Sequence, residues 1–302
     1  MKILISGASG FVGNYLYHRL SNNGFICYKL IREKKLNERE IFWDPYNNII
    51  DLELLKGFDT FIHLSGANIA ESFWTEKRKK ILTESRIKTT KFLSESIVNL
   101  NDNSKRLFIA SAIGYYGPIT HNITTEKGQK GIGFLASLCE KWENSAQPAI
   151  SYGIKTIFMR FGIIMGKEGG FLYRLLKLYR LGLGGTIGNK NAFLSWIAIE
   201  DLYNAVSFLL NKNQSEGPYN FVSPYPITQE EFCHILSKAT KRHAFFRVPS
   251  FFIKTFLGEM GRELFLADQK IYPEKLINEG FIFSFPYFKQ YLESLLNSTY
   301  KI

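Results

Sequence analysis

Three glycines open the chemistry legible in this chain. Gly7, Gly10 and Gly13 stand three residues apart, directly after the apolar run Lys2-Ile-Leu-Ile-Ser6 and before a helical pattern reaching Leu20. Gly7 permits a tight turn out of a strand. Gly10 lets backbone N–H groups reach a pyrophosphate at a helix N-terminus, and Gly13 lets helix and strand pack closely. The spacing is Gly-x-x-Gly-x-x-Gly, and its place between strand and helix favours dinucleotide binding over a purely structural turn. The next strand-like run ends Leu30-Ile31-Arg32-Glu33-Lys34-Lys35. A basic residue there accepts the 2′-phosphate of NADP, whereas an acidic one bonds the ribose of NAD. Arg32 and the two lysines point to NADP, and Glu33 keeps NAD open.

Such a turn needs a scaffold. Apolar runs at 25–31, 60–64, 107–110, 155–160 and 217–222 alternate with helical patterns at 73–100, 133–146 and 200–210. Nearly continuous apolar strands between helices indicate a parallel sheet covered on both faces, the α/β Rossmann-type doubly wound fold. Ligands of such sheets bind beyond the carboxyl ends of the strands. Gly7, Arg32, Ser65, Ser111 and Arg160 all fall at such ends. Residues 1–165, completed by about 195–222, are expected to form the nucleotide-binding domain. Residues 166–194 and 223–302 are expected to form a smaller C-terminal, substrate-side lobe that closes a cleft. Within it, Gly182 to Gly188 reads as a flexible loop serving as phosphate cradle, mobile lid or plain punctuation. Thr228-Gln-Glu-Glu231 reads as a capping box opening a helix to Lys238.

Composition narrows the function classes. The 302 residues are 45% hydrophobic and 22% charged, enough for a core without disulfides or metals. The three cysteines are far apart and form neither a zinc pattern nor a disulfide framework, so no metal is expected. Thirty-eight basic against 27 acidic residues leave +11. The densest basic cluster, Lys77-Arg78-Lys79-Lys80, reads as a solvated helix surface, and no specific nucleic-acid partner is expected. An anionic substrate or a phosphorylated cofactor accounts for part of the excess. The longest apolar-looking stretch, Phe245 to Leu257, is interrupted by Arg247, Pro249 and Lys254. No segment approaches the ~18 apolar residues of a membrane span, so no membrane partner is expected. The short apolar start gives way to Gly7 too early for a signal peptide, and a cytoplasmic location is expected.

Taken together, Gly7-Ala-Ser-Gly-Phe-Val-Gly13, Phe61-Ile-His-Leu-Ser-Gly-Ala67, Ser85-Arg-Ile-Lys-Thr89 and Ser111-Ala-Ile-Gly-Tyr-Tyr-Gly117 resemble the extended short-chain dehydrogenase/reductase superfamily. With Trp142-Glu143, Arg160-Phe-Gly162, Ser195-Trp-Ile197 and Val248-Pro249, the chain is similar to its atypical "epimerase family protein" branch, including that branch's C-terminal domain of unknown function. The resemblance implies an NAD(P)-binding protein, with NADP the expected cofactor and homodimerism a family expectation. It places Ala8, Ser9, Phe11 and Val12 around the pyrophosphate. It places Leu64, Ser65 and Gly66 along the adenosine and ribose side, brings Ser85 and Arg86 toward the cofactor, and sets Ser111 near the nicotinamide.

The superfamily's chemistry uses a tyrosine acid/base and a lysine four residues on, with a serine orienting the substrate oxygen. Ser111 matches the serine. Anchoring on Glu143, which matches a family glutamate, puts Cys139 at the lysine position and Leu135 at the tyrosine position. Tyr115 and Tyr116 are the alternative phenols, either facing the nicotinamide or packing a wall. Arg160 is expected to pair an anionic ligand or a carboxylate. Cys139 reads as a small buried residue rather than a nucleophile, and Trp196 as core rather than a stacking platform. The leading expectation is an NADP-dependent oxidoreductase or nucleotide-sugar-epimerase-like enzyme with an unknown small-molecule substrate. The rival is a non-catalytic NADP(H) sensor acting through a partner.

Overall fold

The computed structural model describes residues 1–33, 38–120, 122–243 and 246–297. In chain order the elements begin β1 (Lys2–Ser6), α1 (Phe11–Asn22), β2 (Ile26–Ile31), β3 (Glu40–Asp44), β4 (Ile49–Ile50), α2 (Leu52–Leu55) and β5 (Thr60–His63). They continue α3 (Glu76–Val98), β6 (Arg106–Ala112), α4 (Phe134–Asn144), α5 (Gln147–Ser151), β7 (Lys155–Phe161), β8 (Ile163–Met165) and α6 (Gly170–Arg180). Next come β9 (Gly185–Ile187), β10 (Phe193–Leu194), β11 (Trp196–Ala198), α7 (Ile199–Leu210), β12 (Gly217–Phe221) and β13 (Ile227–Thr228). The chain ends with α8 (Gln229–Thr240), β14 (Phe246–Val248), α9 (Ser250–Met260), α10 (Glu274–Asn278) and α11 (Phe288–Asn297).

Eight strands form one sheet in the order β12-β7-β6-β5-β1-β2-β3-β4. β1 pairs in parallel with both β2 and β5, and β5 pairs in parallel with β6. The chain builds outward from β1 in one direction, then returns to build outward through β5 in the other. This is the Rossmann arrangement, with its reversal of strand order beside β1. Ile3, Leu4, Ile5, Phe61, Ile62, Phe108 and Ile109 are all buried, so successive side chains on both faces of the strands are covered.

The chain divides into two compact units. One comprises Met1–Ala112, Ser137–Arg160 and Val206–Tyr219. It holds the glycine turn and most of the eight-stranded sheet. The other comprises Ile113–Ala136, Phe161–Ala205 and Asn220–Ile302. Its core joins Met165, Leu172 and Trp196 to Phe232, Leu236, Phe288, Tyr291 and Leu292. Trp196 is fully buried, stacks on Tyr291 and donates its indole N–H to the Tyr225 carbonyl, which makes it core.

Local chemistry sets the element ends. α3 starts at Glu76, three residues later than the pattern from Phe73 suggests, because the Thr75 hydroxyl accepts the Arg78 N–H. The Thr228 hydroxyl accepts the Glu231 N–H and opens α8, as the capping pattern predicts. The start of α4 has a different cap. Phe134 and Leu135 donate their N–H groups to the two oxygens of Glu263, at 2.8 and 2.7 Å. The expected flexible loop at 182–188 is in part a strand: β9 pairs in parallel with β14, Phe246 opposite Gly185. A Cβ on Gly185 would come within 1.9 Å of the Phe246 carbonyl oxygen, so that glycine serves a close approach between backbones.

Candidate functional site

The glycine turn joins β1 to α1. Gly7 has φ +69°, a conformation that side chains disfavour, and a Cβ there would lie 2.7 Å from the Leu64 carbonyl. A Cβ on Gly13 would lie 2.2 Å from the Gly7 carbonyl oxygen. Gly13 therefore packs α1 onto the turn itself. Gly10 differs: its Cβ would meet only the Gly7 oxygen, at 3.4 Å, which is ordinary contact. Nothing in the chain requires glycine there. Gly10 is the N-cap of α1 and provides no side-chain hydrogen bond to the helix. The first N–H groups of α1, at Phe11 and Val12, thus lack intrahelical acceptors and lie at the positive end of the helix dipole. Ser9 and Gly10 are exposed, and Ala8 is buried. A helix start of this kind can receive an anionic group, and the lack of a Cβ on Gly10 leaves its approach open.

A hydrogen-bonded chain fixes the neighbouring loop. Leu64 donates its N–H to the Ser6 carbonyl and lies 3.3 Å from the Ser6 hydroxyl. That hydroxyl lies 2.6 Å from His63 Nδ1, and His63 Nε2 lies 3.2 Å from the Thr89 hydroxyl. The Thr89 hydroxyl donates to the Ser85 carbonyl, so its oxygen accepts from Nε2–H. Nδ1 is then the acceptor for Ser6, which fixes the tautomer. Complete burial drives the His63 pKa down to about 3, keeping the ring neutral.

Ser85 and Arg86, expected to face the cofactor, hold this loop in place. The Ser85 hydroxyl accepts the Ala67 N–H and donates to the Leu82 carbonyl. The Arg86 guanidinium donates to the Ala67 and Leu82 carbonyls and lies 5.0 Å over the Trp142 ring. Burial lowers its pKa to about 10, so it remains charged at neutral pH. A Cβ on Gly66 would press on that guanidinium at 3.3 Å. Leu64 and Ser65 are half-buried and Gly66 is exposed. Arg32, just past β2, is exposed and adds to the field that lowers the Asp44 pKa, after the hydrogen bonds from Asn47 and Tyr46. Lys34 and Lys35, read with it, lie outside the described residues.

The residues expected to do chemistry are placed differently. Ser111 is buried, and its hydroxyl donates to Glu143 Oε1 at 2.6 Å. Arg160 is buried too, and grips the same carboxylate through Nε and Nη2 at 2.8 and 2.7 Å. Ser111, expected to orient a substrate oxygen, has its proton committed to Glu143 and can meet a ligand only as an acceptor. The side chain of the next residue, on the opposite face by strand alternation, is the methyl of Ala112. Arg160 takes the carboxylate of its two expected partners, and its guanidinium is not presented to an anionic ligand. Tyr116 is buried and donates to Asn220 Oδ1 at 2.8 Å, so its phenol is held within the fold. Tyr115 is half-buried, edge-on to Tyr116. On α4, burial pushes the Cys139 thiol up to about 12, with the Glu143 charge adding to it, so Cys139 stays a neutral thiol. Among the described residues, no group of three or more His, Cys, Asp or Glu could hold a metal, and no helix is long and apolar enough to cross a membrane.

Comparison with known proteins follows the same lines. The model of the NAD dependent epimerase/dehydratase family matches residues 3–223, and a domain of unknown function matches 248–295. An epimerase family protein of Mycobacterium leprae is 33% identical over 281 residues, 93% of this chain and 91% of its own. Epimerase family protein YfhF of Bacillus subtilis is 31% identical, covering 94% of each chain. Among solved structures, human epimerase family protein SDR39U1 with NADPH superposes with a TM-score of 0.87 at 28% identity, over 98% of this chain and 99% of that one. UDP-N-acetylglucosamine 4-epimerase from Bacillus cereus, at 16% identity and a TM-score of 0.77, shares the fold. A family model spanning most of the chain, and relatives near one-third identity over nearly its whole length, establish that this protein belongs to the NAD dependent epimerase/dehydratase family.

Proposed function

We propose that this chain is an NADP(H)-dependent enzyme of the oxidoreductase or nucleotide-sugar-epimerase kind, acting on a small molecule without the family's tyrosine–lysine pair. The observation that carries the reading is the uncapped start of α1, where only Gly10 leaves room that the chain itself does not need. The backbone N–H groups of Phe11 and Val12 would hold the pyrophosphate, and Arg32 would meet the 2′-phosphate. Leu64, Ser65 and Gly66 would flank the adenosine ribose, braced by Ser6, His63, Ser85 and Arg86. The human relative solved with NADPH supports this choice of cofactor. When bound, the nicotinamide supplies hydride transfer.

The chain's own residues limit the proton chemistry. The Ser111 proton goes to Glu143, so its oxygen has only acceptor capacity left, suited to a ligand N–H or O–H. Leu135 has no proton to give, and the Cys139 thiol is a weaker acid than any ordinary catalytic phenol. The remaining proton sources are Tyr115, expected to face the nicotinamide, and water.

The test is a titration of cofactor-stripped protein with NADPH and NADH, followed by oxidation of bound NADPH against carbonyl and quinone acceptors. Tighter binding of NADPH with acceptor-dependent oxidation supports the proposal. No binding of either nucleotide overturns it. One observation favours a second reading, an NADP(H) sensor: Leu135 and Cys139 leave the family's tyrosine and lysine positions on α4 without an acid/base. Tight binding with no turnover against any acceptor supports that reading instead.

A further inference from the structure

The second unit carries an apolar surface for which its own fold has no use. α9 turns Ile253 and Leu257, four residues apart, toward Gly261, and a non-helical kink at Gly258 (φ +54°) then sets buried Met260. On its outer side Phe251 and Phe256 are 68% and 72% exposed. Phe252, half exposed, stacks on Phe256 at 6.4 Å. β14 leads into α9 and pairs with β9, just after the turn in which Leu181 is 73% exposed and Leu183 also faces solvent. A helix apolar on both sides has two apolar environments to satisfy, and only one is inside this molecule.

Charge identifies the second environment. From Gly169 to Ile199 the chain has four basic residues and no acidic one. From Phe232 to Gly258 it has five more and again no acidic one. These stretches contain α6, β9, β14 and α9. Lys177, Arg180, Arg247 and Lys254 are exposed among the apolar side chains. Nine basic residues thus lie in stretches without an acidic one, although Lys190 among them pairs with Glu230. Cationic residues interleaved with exposed Phe and Leu are the composition of a helix lying in a membrane interface. The phenylalanines alone would also suit bases, but exposed Leu181, Leu183 and Val248 have no ring to stack, and the mixed aliphatic and aromatic surface suits acyl chains.

We propose that the α9–β14–β9 surface docks on an anionic lipid bilayer, with Phe251, Phe252 and Phe256 entering the interface and the surrounding cations meeting phosphate headgroups. The arginine, proline and lysine within Phe245 to Leu257 rule out spanning; in a helix lying flat, Arg247 and Lys254 assist binding. Each cation near an anionic surface contributes about fivefold in partitioning, and salt screens that contribution.

The experiment is sedimentation of the full chain with phosphatidylcholine vesicles, with and without phosphatidylglycerol. Capture by the anionic vesicles, roughly several hundredfold weaker on neutral ones and lowered by salt, is expected. The double variant Phe251→Ser/Phe256→Ser should lose that capture at an unchanged urea midpoint, since neither side chain is buried. Arg247→Glu/Lys254→Glu should abolish the preference for anionic lipid. Failure of the wild type to sediment overturns the proposal, as does equal capture of wild type and the Phe251/Phe256 variant. If the phenylalanine variant dissolves a dimer, or loses binding to single-stranded RNA, while vesicles capture neither protein, the surface belongs to a second copy or to RNA and the proposal falls.

Discussion

Gly10 and Gly13 carry the same letter in the motif and different physics. A methyl on Gly13 would lie 2.2 Å from the Gly7 carbonyl oxygen, so Gly13→Ala must move α1 or the turn. It is expected to cost about 1–3 kcal/mol in urea unfolding. Gly10→Ala meets ordinary contact and is expected to leave the urea midpoint within about 0.5 kcal/mol while weakening NADPH binding at least tenfold. Equal loss of stability in the two variants would sink the distinction. The buried neutral His63 makes a pH prediction. Its folded pKa, about 3, lies below the ordinary 6.5, so only the unfolded chain takes up its proton between those values. Stability from this residue is full above about pH 6.5 and declines toward pH 3, by about 2 kcal/mol at pH 5. Urea midpoints at pH 7 and 5 in wild type and His63→Gln check this, and the variant should show the smaller fall. The glycines were legible because their constraint is local. His63 was not: its partners Ser6 and Thr89 lie 57 and 26 residues away. One signal was present, a histidine at the end of the short run Thr60–His63, directly before Leu64. Glu143 was noticed as a family position, but its grip on Ser111 and Arg160 joins three separate elements.

At the scale of elements, caps close in sequence could be read and distant ones could not. Thr228 sits three residues before Glu231, and its hydroxyl accepts that residue's N–H. Glu263 caps α4 from 129 residues away, and nothing near Phe134 announces it. Both its oxygens accept N–H groups at a positive helix end. Glu263→Ala is expected to lower stability by about 1–2 kcal/mol, and Glu263→Gln by less, since the amide keeps one acceptor. Thermal unfolding of the two variants would show it, and equal losses would refute the capping role. β9 escaped the sequence reading for another reason. Three residues, one of them glycine, carry no alternation, and the strand exists only because Phe246 pairs opposite Gly185.

For the whole molecule, the end of the matched family region at residue 223 does not coincide with the edge of a compact unit. Met165, Leu172 and Trp196 bury themselves against Phe232, Leu236, Phe288 and Tyr291, which lie beyond it. A chain cut after residue 223 should therefore aggregate or be rapidly proteolysed. A soluble, cooperatively unfolding fragment would disprove this. Alternating strands and helices were enough to read the sheet, because each apolar run is continuous within itself. The second unit was harder to read, since Ile113–Ala136, Phe161–Ala205 and the segment from Asn220 onward must be assembled before its core appears.

That interleaving also sets an order of events in time. The last segment of the first unit ends at Tyr219, whereas the second unit draws on residues through α11, which ends at Asn297. On a ribosome adding about 5–20 residues per second, that interval lasts on the order of 4–16 s. For most of it, Leu172 and Trp196 have been synthesised and Phe288 and Tyr291 have not. A newborn chain thus spends seconds with half a core and no lining for it, a window in which chaperone supply rather than final stability decides its yield.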